Sequence, residues 1–502
     1  MSEIKARDCL PFENENDKVI RQLCEYFAST DYSKDDDERI ASLRTSLCAV
    51  GDGQPATIQT RWWAGRYIGL AKIAIPRGTG FSWFDVSIRP RFGEQFLLSI
   101  IEDVYNIKIG THNGESKYSN EWFSALLNLL RRRMWVDKCS KANRYGLPRT
   151  NIKREHQGAV MHGAIDVRRT IMPWLMKKEV ATHTYEKTLD DTICRIVYEA
   201  HRVLSKNVIT NRKKKKKDSN AIGFGFSMPP TVQDTINTLN SQYKGTVFDL
   251  TENDYKRIRY KSIYVSWKPL VDFSWSVIRE KEIGYKSANS MSECVFVDMA
   301  EIWESFLRKK LGEGFADDGW RALSVEECTY QIYKGKFYQR DIIPDIILER
   351  EQNGQKEYMV FDAKYKRMRG IKSSLKYSDV DRSDLFQIHT YIQYVQHNMG
   401  KVVVGGLLYP ITQKGTNDDG TEFENPDIDE KSYHTNHLFG DDGKDNTPPF
   451  IIDGILCPEV EDDNIVNEQN VKDNSQTLDE NIKKMVERIK MASHQHSRIL
   501  TE

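Results

Sequence analysis

Several things are missing from this chain, and each absence removes a class of protein. Nowhere in its 502 residues is there a run of about 18 apolar side chains that could span a bilayer. The opening stretch MSEIKARDCLPFENENDK also lacks the apolar segment of a secretory leader. The expectation is a cytoplasmic protein, neither secreted nor inserted in a membrane. Eight cysteines (Cys9, Cys24, Cys48, Cys139, Cys194, Cys294, Cys328, Cys457) include no C-x-x-C pair and no histidine at metal-binding spacing, so they read as reduced core thiols. Net charge is absent too, with 73 Lys+Arg against 73 Asp+Glu, and any contact with a polyanion has to come from local patches. No G-x-x-x-x-G-K-[ST] loop occurs, so the chain carries no phosphate cradle of that kind. No internal repeat is found.

What is present is ordinary bulk and uneven patterning. A hydrophobic content of 39% over this length suits a multidomain globular protein. From Thr57 to Phe92, TIQTRWWAGRYIGLAKIAI and FSWFDVSIRPRF are rich in aromatic and β-branched residues around a Pro76-Arg77-Gly78 turn, and they predict a small β-rich N-terminal domain. Helical spacing follows in EQFLLSIIEDVYNI, NEWFSALLNLLRRRMWVDKC and THTYEKTLDDTICRIVYEAHRVLSKN. Five consecutive lysines, 213–217, predict a solvated loop, because like charges this dense repel in a packed structure. Residues 412–448, dominated by Asp, Asn, Gly, Thr and Glu, predict a long loop or insertion. The division expected is 1–150 (β-rich, with following helices), 151–275 (helical, with the lysine run), 276–460 (a mixed α/β core) and 461–502 (acidic linker and helix). The fold class expected is multidomain α+β.

Chemistry concentrates between Asp341 and Met368, in DIIPDIILEREQNGQKEYMVFDAKYKRM. Asp345 and Asp362 each adjoin an apolar strand, IIPDIIL and YMVFDAK, with sixteen residues between them. Antiparallel pairing through the EREQNGQKE turn brings both carboxylates to one end of a sheet, and Lys364, two residues past Asp362, shares its face. Paired carboxylates are hard ligands that suit magnesium, and such a cation offsets charge on a phosphodiester and activates water. Lys364 can orient that water or offset phosphate charge. The bland alternative, two edge acids and a solvated lysine, is weighed against three neighbouring features. VFVDMAEIWESFLRKKL reads as an amphipathic helix with Val297, Ala300, Glu304, Leu307 and Leu311 on one stripe, so Glu304, its only charge, requires a metal or cationic partner. DLFQIHTYIQYVQ carries a core stripe of Leu385, Ile388, Ile392 and Val395, with Gln387 and Tyr391 four residues apart on a neighbouring face. The element order ends with the buried strand KVVVGGLLYP, as in an α/β core with a mixed sheet flanked by helices.

Residues 296–410 resemble a PD-(D/E)XK nuclease core with the Q-x-x-x-Y element of its RecB-like branch. More specifically they are similar to McrC, the nuclease subunit of 5-methylcytosine-dependent restriction systems, through DMAEIWESFL, PDIIL, VFDAKYK, DLFQIHTY and GGLLYP in that order. HGAIDVRRTI with the helical segment after it, and GRYIGLAKI with VSIRPRFG, extend the likeness over roughly 57–460, with Arg91 where the pattern implies a lysine. The resemblance implies a magnesium-dependent endonuclease with Asp345, Asp362, Lys364 and Glu304 catalytic. Asp345, Asp362, the Ala363 backbone carbonyl and Glu304, the last through water, would serve the metal, and Gln387 and Tyr391 would support the site or touch DNA. It also implies a partner, a McrB-like AAA+ GTPase hexamer that binds the nucleotide and reads modified cytosine in double-stranded DNA. Two other readings stay open: a standalone RecB-like repair or defence nuclease, and a non-catalytic activator of a partner NTPase.

The same implied partner directs attention to Trp62, Trp63, Tyr67, Phe81, Trp83 and Phe84, with Arg61, Arg66, Arg77 and Arg89, in the N-terminal β-rich segment. Trp, Tyr and Arg dominate binding hot spots, and a domain this small does not easily bury six large aromatics. The expectation is that this surface docks on the ring, and that a chain beginning near Asn151 keeps the C-terminal core.

Overall fold

In this computed structural model, the structure describes residues 2–10, 49–50, 62–77, 80–105, 120–215, 228–246, 248–283, 295–325, 327–332, 340–366, 380–412, 414–416, 422–424, 435–437, 448–457 and 468–499. They form a mixed α/β protein that separates into two compact units. One gathers the N-terminal residues up to Leu130 with the C-terminal half from Ile283 onward; the other spans Arg131–Lys216 and Ser227–Glu282. The units therefore do not follow linear order.

The larger unit contains two main sheets. The first uses β1 (Ser2–Arg7), β2 (Tyr67–Arg77) and β3 (Gly80–Arg89), and after helix α1 (Gly93–Tyr105) it is completed from far along the chain by β4 (Val295–Asp298). Its order is β1-β3-β2-β4, with β1 parallel to β3 and the other pairs antiparallel. The N-terminal strands are thus not a separable domain. Removing everything before Asn151 would strip β4 of its partner, contrary to the expectation that the core survives such a cut. Of the aromatics expected to dock a partner, Tyr67 is half-buried, and the other side chains lie outside the described residues.

VFVD was expected to begin a helix; it is strand β4, and helix α2 (Met299–Gly314) starts after it. Asp298 makes the break, its side chain accepting from the Ala300 amide at 2.9 Å as the helix N-cap. The buried stripe of α2 is Met299, Ile302, Trp303, Phe306, Leu307 and Leu311, which leaves Glu304 at its margin.

The second sheet follows: β5 (Arg321–Ala322), β6 (Ile346–Gln352), β7 (Gln355–Ala363), helix α3 (Arg382–Asn398), β8 (Lys401–Thr412), β9 (Thr435–His437), β10 (Pro449–Cys457) and the long helix α4 (Glu468–Ile499). The six strands are ordered β5-β6-β7-β8-β10-β9, with β7-β8-β10 parallel and the rest antiparallel. Strand β7 is buried on both faces over its last six residues, as a central strand covered on both sides must be. Ile347, Val360 and Leu407 pack with Ile388 and Ile392 of α3 on one face, while α2 and α4 also lie against the sheet. Gly406 permits the tight β8–β10 approach, since a Cβ there would stand 2.0 Å from the Ile451 carbonyl oxygen. Much of 412–448 lies outside the described residues.

The smaller unit is less purely helical than its periodicity predicts. Residues within NIKREHQG and THTYEKTL form antiparallel strands, Arg149–Gly158 and Val180–Leu189, with Ala164–Ile165 added to the latter. Alternating and β-branched residues suit a ribbon better than a helix there. Between these strands runs the helix Val167–Lys177, none of whose residues is buried; Val167, Ile171, Met172, Leu175 and Met176 are each more than half exposed. Helix Asp191–Lys215 takes in the first three lysines of the run, which were expected in a loop. Cations are favoured at a helix C-terminus. Lys216 and Lys217 lie outside the described residues. The core of this unit holds Trp135, Trp267 and Trp275, with Trp135 donating to Ser274 Oγ at 3.0 Å.

Among the described residues, Cys139, Cys194, Cys328 and Cys457 are buried free thiols and Cys9 is a partly buried one. No described helix is long and apolar enough to cross a membrane.

Candidate functional site

The β6–β7 hairpin sets the positions of the two acids. Its turn is Asn353-Gly354, with φ of 54° and 74° between the paired Gln352 and Gln355, the two positive values that a tight two-residue hairpin requires. From there the register runs unbroken to Ile346 opposite Phe361, and one further step places Asp345 opposite Asp362. Asp345 stands just before β6, not at a strand end, because Pro344 ahead of it has no amide hydrogen to give a ladder. The hairpin still delivers both carboxylates to one sheet edge.

At that edge the acids are poorly compensated. Asp362 is fully buried, and its Oδ1 has no hydrogen-bond donor among the described residues. Lys364 Nζ forms an ion pair with Asp362 Oδ2 at 2.5 Å. Asp345 Oδ2 accepts from the Ala363 amide at 2.9 Å. Burial first, then the facing Asp362 carboxylate and the charge of Glu304, hold the Asp345 carboxyl well above the ordinary carboxylate range. Burial alone would lower the Lys364 pKa, but Asp362, Asp384 and Asp345 outweigh it and the ammonium is held above its usual value.

Helix α3 supplies the other wall. Asp381 caps it by accepting from the Ser383 amide at 3.0 Å, so the first turn faces the end of β7. Lys364 Nζ donates to Gln387 Oε1 at 3.0 Å, and Gln387 Nε2 donates to the Tyr391 hydroxyl at 2.7 Å. The expected pair therefore acts as a relay behind the lysine. One residue escaped the sequence reading. Asp384, buried in the first turn, lies 3.5 Å from Lys364 Nζ and accepts from Lys366 Nζ at 2.8 Å. Its signal was an acid three residues before Gln387, on the stripe that continues to Tyr391.

Glu304 has the cationic partner its position called for: Arg308 Nη2 donates to it at 2.5 Å. Arg308 also donates through Nε to the Asp345 carbonyl at 3.0 Å, tying α2 to the start of β6. Among the described residues no three or more His, Cys, Asp or Glu side chains form a ready metal cage. Two facing carboxylates, one with an unsatisfied buried oxygen and the other disfavouring its charge, do fit a hard divalent cation that completes its shell with water or substrate oxygens.

Beyond its geometry, the chain matches a known family model, the McrBC 5-methylcytosine restriction system component, over residues 63–410. The chain belongs to that family. Two solved structures of McrBC assemblies are similar to it at low identity. One is a refined half-complex from the tetradecameric assembly of Thermococcus gammatolerans McrB AAA+ hexamers with bound McrC, at 13% identity and a TM-score of 0.34, covering 97% of this chain and 100% of that chain. The other is the cryo-EM structure of the Thermococcus gammatolerans McrBC complex, at 14% identity and a TM-score of 0.30, covering 62% of this chain and 88% of that chain. No curated protein matches the chain. The McrBC family match ends at Pro410 in β8, so it takes in β6, β7 and α3 with every residue of the candidate site.

Proposed function

We propose that this chain is the nuclease subunit of a modification-dependent restriction complex, a magnesium-dependent DNA endonuclease with a PD-(D/E)XK core that works with a McrB-like AAA+ GTPase. One observation carries the nuclease reading: Asp345 stands opposite the fully buried Asp362, whose Oδ1 has no hydrogen-bond donor and whose Oδ2 is paired with the Lys364 ammonium at 2.5 Å. Burying charge is costly, and one ammonium does not balance two facing carboxylates at a buried edge.

In this reading Asp345, Asp362 and the Ala363 carbonyl would hold magnesium, and Glu304 would act on it through water. The bound cation would neutralise phosphate charge and make water more acidic. Lys364 keeps a positive charge at the same edge, where it orients the attacking water and stabilises the developing charge on phosphorus-bound oxygen. Gln387 and Tyr391 fix the lysine's rotamer, and Asp362, with Asp384 behind it, keeps the ammonium protonated.

For the partner, support comes from membership of the McrBC family and from the exposed apolar helix Val167–Lys177. Uncovered apolar surface of this kind belongs at a protein interface. Double-stranded DNA carrying modified cytosine is the substrate this reading assigns.

The test is cleavage of methylcytosine-containing DNA by the full chain with its AAA+ partner, in magnesium and GTP. Asp345→Ala and Asp362→Ala should each abolish cutting while stimulation of GTP hydrolysis survives. Cleavage at the parental rate by either variant would remove the nuclease assignment.

A further inference from the structure

The segment just after β7 is held from two sides. Toward α3, Lys364 and Lys366 both reach Asp384. Tyr365, between them, turns the other way into a buried cluster, its ring centroid 6.4 Å from those of Phe92 and Trp303. Over that ring lies the Arg91 guanidinium, 4.6 Å from the Tyr365 centroid and 4.7 Å from that of Phe92.

Arg91 is an unusual residue to find there. It is buried, and two of its nitrogens, Nε and Nη1, have no hydrogen-bond partner. Its third, Nη2, donates to the Lys366 carbonyl at 3.1 Å. The Arg91 amide donates to Asp8 Oδ1 at 2.5 Å, and Asp8, at the end of β1, is fully buried as well. Next to it, Cys9 Sγ contacts the Tyr365 carbonyl at 3.7 Å. A buried guanidinium held by ring faces, one carbonyl and the charge of Asp8 often contributes no more to stability than a well-packed apolar residue of similar size, which points to a use for its geometry.

We infer that Arg91, seated on Asp8, is a positioning residue for Lys364: the N-terminal sheet sets the place of the proposed catalytic lysine by clamping Tyr365 and the Lys366 carbonyl. The inference rests on the nuclease reading. Arg91 touches no reacting atom; it opposes Asp384 across the same three residues. Any load carried by the N-terminal strands is thereby transmitted to the cleavage edge.

The experiment measures single-turnover cleavage of methylcytosine DNA by the full chain with its AAA+ partner. Arg91→Lys keeps the charge but cannot both lie flat on Tyr365 and reach the Lys366 carbonyl, so cleavage should fall about 10- to 100-fold, the cost of a displacement near 1 Å. GTP hydrolysis should be unchanged. Because a buried cation can fail to fold once altered, Tyr365→Phe and Tyr365→Leu form a second pair: the first keeps the ring and the parental rate, the second falls with Arg91→Lys. Combining Arg91→Lys with Asp384→Asn should cost little more than the worse single change, since both free the same segment. Parental cleavage by Arg91→Lys and Tyr365→Leu, or defects that multiply, would overturn the inference. An Asp345→Asn control that still cuts would instead indict the nuclease reading itself.

Discussion

Lys364 spans from the end of β7 to α3, its ammonium donating to the Gln387 side-chain oxygen at 3.0 Å. That amide is itself oriented by its 2.7 Å bond to Tyr391. A lysine has four freely rotating bonds, and this relay removes their freedom. Gln387→Ala should therefore lower cleavage by about tenfold or more, roughly the worth of one charge-assisted hydrogen bond. Tyr391→Phe should do less. Single-turnover rates at saturating magnesium check both, with magnesium affinity expected to hold.

Asp345 makes stability depend on pH in a definite direction. Its carboxyl is held above the ordinary range by burial and by Asp362, so the metal-free folded chain binds a proton that the unfolded chain releases. That stability is fully present below the ordinary carboxylate pKa and is lost as pH rises through the raised value. Asp8, pushed up to about 6 by burial, slopes the same way. Asp345→Asn should raise the melting temperature of metal-free protein at neutral pH and flatten the slope, leaving only the share of groups such as Asp8. Melting curves in chelator across pH decide it, and a variant less stable than its parent would contradict the assignment.

Glu304→Gln should be milder than either aspartate change. Arg308 keeps its hold on the Asp345 carbonyl through Nε, so the start of β6 stays in place while one negative charge leaves the edge. Cleavage should fall by about tenfold at most, as for groups that support a metal site from outside its first ligands. Titrating magnesium against rate separates this from a simple loss of stability.

The exposed helix in the smaller unit predicts a binding defect. Leu175 and Met176 are 67% and 77% exposed, so changing both to aspartate leaves the fold with little to lose. Affinity for the AAA+ partner should drop by about tenfold or more if this helix is buried in the complex. Co-sedimentation or calorimetry on the double variant reads it; undiminished binding would place docking on another surface.

Arg488 and Asp453 join α4 to β10 through two contacts of 3.0 Å, both side chains nearly buried. Removing one partner strands the other, at a cost of about 3–5 kcal/mol. Arg488→Met should therefore lower the denaturation midpoint sharply, and Arg488→Met with Asp453→Leu should recover part of it.

Local pattern was enough for much of the candidate site. A hairpin register is fixed by its turn and by strand alternation, both readable in IIPDIILEREQNGQKEYMVFDAK, and so the facing of Asp345 and Asp362 followed from the chain itself. Helical period placed Gln387 and Tyr391 on one face for the same reason. Glu304's need for a cation was legible too, although only packing selected Arg308, one turn further along α2, to meet it.

Relationships between distant segments were decided by the tertiary structure alone. Nothing in SEIKAR or VFVD states that they form the two edges of one sheet, because pairing with strands far away in the chain leaves no periodic trace in either. Asp384 carried no marked signal of its own, and folding brings two lysines to it. Arg91 stood out in the sequence only as the residue found where the family pattern implies a lysine, and the meeting of the N-terminal sheet with the end of β7 buries it over Tyr365. Short-range order is written in residue spacing; which buried charges meet depends on how the sheets and helices close around them.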